Sequence, residues 1–238
     1  MDDITGLNTF RTPTTARPLL GMTILVVEDS LYACDALRLM CLHSGARIRR
    51  ADCLRSARRH LQVYRPSAVI VDLGLPDGSG IELIEELNIA APRVGTILGM
   101  SGDQDGESAV RKAGADGFLA KPLINLGSFQ QTVLQALPAE CRPSGMRVIR
   151  DDTIHPDPMA FRDDMIHAAN LLDEHEDGPV LDYVAQFLDG VAKSADDRPL
   201  ARAARALARD CADGDASPSS VAAIAGLVQD RLTSRAVV

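Results

Sequence analysis

Between Gly21 and Pro138, short apolar runs rich in β-branched residues alternate with amphipathic stretches, and this alternation is the strongest constraint on the fold. It is the pattern of a parallel sheet covered by helices, because parallel strands need a crossover long enough to hold a helix. The runs are Thr23–Val27, Ala46–Arg50, Ala68–Val71, Val94–Met100 and Gly117–Ala120. Between and after them the spacing predicts helices near residues 30–44, 53–64, 81–88, 106–113 and 124–137, the last ended by Pro138. The expected architecture is α/β, a doubly wound five-stranded parallel sheet. In such sheets ligands gather at the carboxyl ends of the strands.

After Pro138 no further β-rich run occurs. Residues 139–157, rich in Pro, Arg and Asp, read as a linker, and residues 158–238 as an all-α helical domain for output or dimerisation. Phe161, Met165, Ala168 and Leu172 share one helical face, Leu200, Ala204, Leu207 and Cys211 another, and Ser217-Pro218 opens a last helix with an N-cap and a first-turn proline. Small residues at the contacts leave pairing with a second copy open. Residues 1–20 read as a disordered leader and residues 21–138 as the α/β domain.

The strand ends carry the chemistry. The first run ends in Glu28-Asp29, the third in Asp72, the fourth in Ser101-Gly102 and the fifth in Lys121-Pro122. Carboxylates crowded in this way repel one another unless a hard cation joins them, and Mg²⁺ suits a few carboxylate oxygens while keeping several waters. Taken singly, Asp72 reads as a cap or turn residue and Glu28-Asp29 as a helix start. Taken together, the acidic pair, lone Asp, hydroxyl and Lys resemble, in identity, order and spacing, the receiver domain of bacterial two-component response regulators.

The resemblance covers residues 21–138 and implies a flavodoxin-like fold. It implies that Asp72 is the phosphoacceptor, taking a phosphoryl group from a sensor histidine kinase or phosphotransfer protein. It also implies that Glu28, Asp29, Asp72 and the carbonyl of Gly74 hold Mg²⁺, and that Ser101 and Lys121 contact the phosphoryl group. Ser101 and Phe118 would form the switch that alters the surface, and Pro122 would follow a cis peptide bond. Gly74 and Asp103 occupy positions that flank the path of hydrolytic water in the family. The function so implied is a phosphorelay response regulator that switches protein–protein contacts, catalysing only its own phosphorylation and dephosphorylation.

The alternative is a phosphorylation-controlled DNA-binding transcription regulator. The formal net charge of -8 bears on that choice once it is located. Residues 1–138 carry 14 basic and 15 acidic side chains, the remainder 11 and 18, so nearly all the acidity lies in the helical half, against a DNA-binding output. Arg198, Arg202, Arg205 and Arg209 share one helix face and read as a salt-bridge surface before a phosphate-binding one. A phosphotransfer histidine would call for small residues and Lys-Gly after it, whereas His167 precedes Ala168-Ala169-Asn170. Five dispersed cysteines read as reduced thiols, and with no signal peptide or membrane-length apolar run the expected location is the cytoplasm, with no membrane partner.

Overall fold

Alternate residues of the first strand enter two different cores. Ile24 and Val26 pack with Leu37, Met40, Ile70, Leu98 and Phe129, whereas Leu25 and Val27 pack with Leu54, Val69, Val71, Leu83, Ile84 and Val110. A sheet buried on both faces calls for near-continuous apolar strands, and β1 (Thr23–Val27), β3 (Ala68–Asp72) and β6 (Ile97–Ser101) are such strands, polar only at the terminal residues Thr23, Asp72 and Ser101. The computed structural model describes residues 13–103, 105–143, 152–174, 178–214 and 217–234.

The sheet is five-stranded and parallel throughout, in the order β2-β1-β3-β6-β7, with β2 at Arg47–Ala51 and β7 at Gly117–Ala120. Helices α1 (Leu31–Ser44) and α5 (Leu126–Ala136) cover one face, and α2 (Leu54–Val63), α3 (Gly80–Ile89) and α4 (Gly106–Lys112) the other. This is the doubly wound, flavodoxin-like order expected from the sequence. A feature the apolar pattern did not reveal is a two-residue antiparallel pair, β4 (Gly74–Leu75) with β5 (Gly78–Ser79), which folds the loop after β3 back on itself. Asp77 at its tip accepts hydrogen bonds from Leu54 N and Arg55 N, capping α2 from outside that helix.

Two segments read as leader and linker are tied to this domain. Leu19 is fully buried in the α1/α5 core and donates its backbone N–H to the Ser44 carbonyl; residues 1–12 lie outside the described residues. After a 3-10 turn at Ala139–Cys141, residues 152–154 lie beside the start of α5: Leu126 N donates to Asp152 O, Ile154 N to Ile124 O, and Ile154 is buried beside Leu126 and Phe129. Residues 144–151 are outside the description.

Helices α6 (Pro158–Glu174), α7 (Gly178–Ser194), α8 (Arg198–Ala212) and α9 (Pro218–Ser234) enclose a third core of Phe161, Met165, Val184, Leu188, Val191, Leu200, Leu207, Ile224 and Val228. Tyr32, on α1, packs against this core, its ring 5.8 Å from that of Phe161 in an edge-to-face arrangement. The bundle therefore rests on the first helix of the α/β domain. Among the described residues no helix is long and apolar enough to cross a membrane.

Candidate functional site

Three carboxylates converge where β1 and β3 end. Glu28, Asp29 and Asp72 each place an oxygen so that the three lie within 4.8 Å of one another. Asp72 is the last residue of β3, and its position depends on a glycine: a Cβ at Gly80 would stand 1.9 Å from the Asp72 carbonyl oxygen. The Asp72 carboxylate accepts the Gly74 N–H at 3.0 Å through Oδ2 and meets Lys121 Nζ at 2.7 Å through Oδ1. The same ammonium lies 2.7 Å from Glu28 Oε2. Glu28 also accepts the Ser30 N–H, while Arg50 donates to the Asp29 carbonyl at 2.8 Å.

The electrostatics follow from burial. Glu28 is 1% exposed and Asp72 7%. Desolvation pushes the Glu28 carboxyl up to about 7, against the pull of Lys121 and with the push of Asp29. Burial likewise raises Asp29 to about 6, opposed by the hydrogen bond from Tyr183, and Asp72 to about 6, opposed by Lys121. Burial alone would lower the Lys121 ammonium, but the Asp72 and Glu28 charges outweigh it and hold it above the usual lysine range. The result is an oxygen-only pocket with excess negative charge, which can hold a hard divalent cation.

Ser101 ends β6, buried, and Lys121 follows β7; both line the same cleft of about 570 Å³ as Glu28, Asp29, Asp72 and Gly74. Ser101 Oγ accepts the Asp103 N–H at 3.1 Å. Phe118 is not in the cleft. It lies half-buried on the α4 side of β7, with Cε2 3.5 Å from where a Cβ of Gly106 would be. The Lys121–Pro122 peptide is cis. Of the residues set apart from this chemistry, Cys34 and Cys41 are buried thiols, both pushed up by desolvation, and Arg205 pairs with Asp189 of α7 at 3.4 Å.

Residues 24–133 match the response regulator receiver domain. This segment is a receiver domain. The chain is 32% identical over 114 residues to the KDP operon transcriptional regulatory protein KdpE of Escherichia coli, covering 48% of this chain and 50% of that protein. It is 35% identical over 104 residues to the virulence transcriptional regulatory protein PhoP of Salmonella typhimurium, covering 42% and 46%. It therefore spans about half the length of the curated relatives it matches. The chemotaxis response regulator CheY4 of Vibrio cholerae shares 22% identity, with 49% of this chain and 98% of that one covered and a TM-score of 0.45.

What the strand-end motifs could not reveal is the roof of the receiver pocket. Ala185, Gln186, Asp189 and Lys193 of α7 and Arg205 of α8 line the cleft opposite Asp72. Tyr183 donates its hydroxyl to Asp29 Oδ2 at 2.7 Å, and Gln186 Oε1 stands 3.7 Å from where a Cβ of Gly74 would be. Lys193 Nζ donates to the Gly102 carbonyl at 3.2 Å and is held by Asp189 at 2.7 Å. Beside the cleft, Asp164 of α6 accepts Ser30 Oγ, Leu31 N and Tyr32 N at 2.7, 2.7 and 3.1 Å. One sequence signal did mark Asp164: it falls on the Phe161/Met165/Ala168 stripe, where an acidic side chain has no place unless it is paired.

Proposed function

We propose that the chain is a phosphorelay response regulator in which Asp72 accepts a phosphoryl group from the phosphohistidine of a sensor kinase or phosphotransfer protein. The observation that carries this reading is the pocket itself. A buried Asp is fixed 2.7 Å from a buried Lys and shares a 4.8 Å cluster with two further carboxylates. In the transfer, an Asp72 carboxylate oxygen attacks phosphorus in line, the P–N bond breaks, and the imidazole nitrogen leaves with the bonding pair and is protonated. The Gly74 N–H and Lys121 orient the attacking carboxylate, and Lys121 neutralises oxygens of the moving group. Glu28, Asp29, Asp72 and the Gly74 carbonyl would hold Mg²⁺, which when bound neutralises phosphoryl charge beyond what one ammonium can. Ser101 supplies a hydroxyl to the product, and Phe118 turns with the loop after β6.

Incubation with acetyl phosphate and Mg²⁺ tests this. Intact-mass spectrometry should show one added phosphoryl group, which peptide mapping places on Asp72 and which Asp72→Asn and chelation both abolish; label on Asp72→Asn overturns the assignment. The output proposed is a change of protein contacts made by the helical half. The two relatives are named transcriptional regulators, and salt-sensitive operator binding by the phosphorylated chain would favour that alternative output.

A further inference from the structure

Helix α7 grips the receiver pocket at two rims. Tyr183 holds Asp29 at the end of β1, and Lys193 holds the Gly102 carbonyl at the end of β6. Ten residues of helix, about 15 Å at 1.5 Å per residue, separate the two grips, enough to bridge the mouth of the cleft. A third tie lies beside them, where Asp164 of α6 accepts the Leu31 and Tyr32 N–H groups that open α1. Asp189 braces Lys193 and Arg205, joining the bar to α8.

Resting on the phosphoacceptor reading of Asp72, we propose that α7 is a lid whose anchors are the groups that phosphorylation needs, so that filling the site releases the helical domain from the receiver. Asp29 Oδ2 cannot serve the Tyr183 hydroxyl as well once its charge is drawn to a cation. Ser101 Oγ, now accepting from Asp103 N, must turn to the phosphoryl oxygen, and the 101–103 loop then carries the Gly102 carbonyl away from Lys193. Two grips weaken together, so that release then works against the ties on the α1 side, where Asp164 holds the helix terminus, Asp35 accepts the Asp157 N–H and Tyr32 meets Phe161. The coupling is reciprocal: whatever the filled site does to the lid, the lid does to the affinity of the site. The released surface is the α6–α7 face, which gives the output an address on the molecule.

The Leu31 and Tyr32 amides report docking directly, because both donate to Asp164 across the boundary. Amide hydrogen exchange on the full chain, alone and with Mg²⁺ plus beryllofluoride, should show these two amides and peptides from α7 exchanging at least about tenfold faster in the filled state. Unchanged protection, in protein that acetyl phosphate labels on Asp72, overturns the lid and leaves the phosphoacceptor intact; absence of label overturns the phosphoacceptor reading itself. Tyr183→Phe provides a second readout that does not depend on unfolding. By calorimetric titration it should bind Mg²⁺ several-fold more tightly than the parent, and equal or weaker binding overturns the competition at Asp29.

Discussion

Lys121 Nζ sits 2.7 Å from Asp72 Oδ1 and 2.7 Å from Glu28 Oε2, so one ammonium joins the last residue of β3 to the first residue after β1. It does so almost without water, its side chain being 7% exposed. Removing one partner of a buried ion pair strands the other charge, typically at a cost of about 3–5 kcal/mol. Lys121→Met should therefore lower the thermal midpoint markedly, by roughly 2–4 °C per kcal/mol for a chain of this size. Mg²⁺ should restore part of the loss, because it can stand in for the missing charge. Calorimetry with and without Mg²⁺ checks both; a variant as stable as the parent would remove Lys121 from the electrostatic balance of the pocket.

The same crowding gives a pH dependence with a definite sign. Burial raises Glu28 to about 7 and Asp29 and Asp72 to about 6, so the folded chain binds more protons there than the unfolded chain does. Stability from this cluster is present at low pH and lost as pH rises through those values. A divalent cation relieves the repulsion only where the carboxylates are ionised. The rise in thermal midpoint on adding Mg²⁺ should thus be larger at about pH 8 than at about pH 5. An equal shift at both would place the cation elsewhere.

Two glycines make opposite predictions. At Gly80 an added Cβ would collide with the Asp72 carbonyl at 1.9 Å, a backbone atom that cannot swing aside. Gly80→Ala should cost about 1–3 kcal/mol as overpacking and slow labelling by acetyl phosphate, because the displaced residue is the proposed nucleophile. At Gly190, within α7, a Cβ would meet nothing within 4 Å. Gly190→Ala should stabilise by up to about 1 kcal/mol through helix propensity. Urea titration of the pair, with labelling rates, separates local collision from general tolerance.

The receiver half was legible because its signals are local. Strand β1 at Thr23–Val27 and strand β7 at Gly117–Ala120 are where the apolar runs placed them, and each chemical residue ends or follows a strand, so topology alone brings Asp72, Glu28 and Lys121 together. Strand β6 begins at Ile97, not Val94: Arg93 is drawn off to Asp116, whose carboxylate also takes the Ile97 N–H. The roof was not legible for a different reason. Tyr183, Gln186 and Lys193 recur at spacings of three and seven, an ordinary half-polar helix face until the partner surface is known. No rule of period or propensity states that α7 lies against β4 and not against solvent.

Asp164 tests the boundary itself. Ser30 Oγ accepts the Ala33 N–H, the normal duty of an N-cap, while its proton goes to Asp164 Oδ2; Leu31 N and Tyr32 N go to the same carboxylate. Asp164 is 2% exposed, and burial raises its carboxyl above the usual range, with the three donors opposing that shift. Asp164→Ala leaves those donors facing a void. At about 1–3 kcal/mol for each buried group left unsatisfied, and with water entering to repair part of the damage, a total loss of about 2–4 kcal/mol is expected. Asp164→Asn keeps one oxygen for Leu31 N and lets the Ser30 oxygen accept from the new amide, so Tyr32 N and the Ser30 hydroxyl proton lose their acceptor while one new hydrogen bond is gained. The Asn variant should lose roughly half as much. Urea unfolding of parent, Asn and Ala chains checks the order; equal midpoints for Asn and Ala would mean that the carboxylate's size, and not its capacity to accept, holds the helical domain to α1.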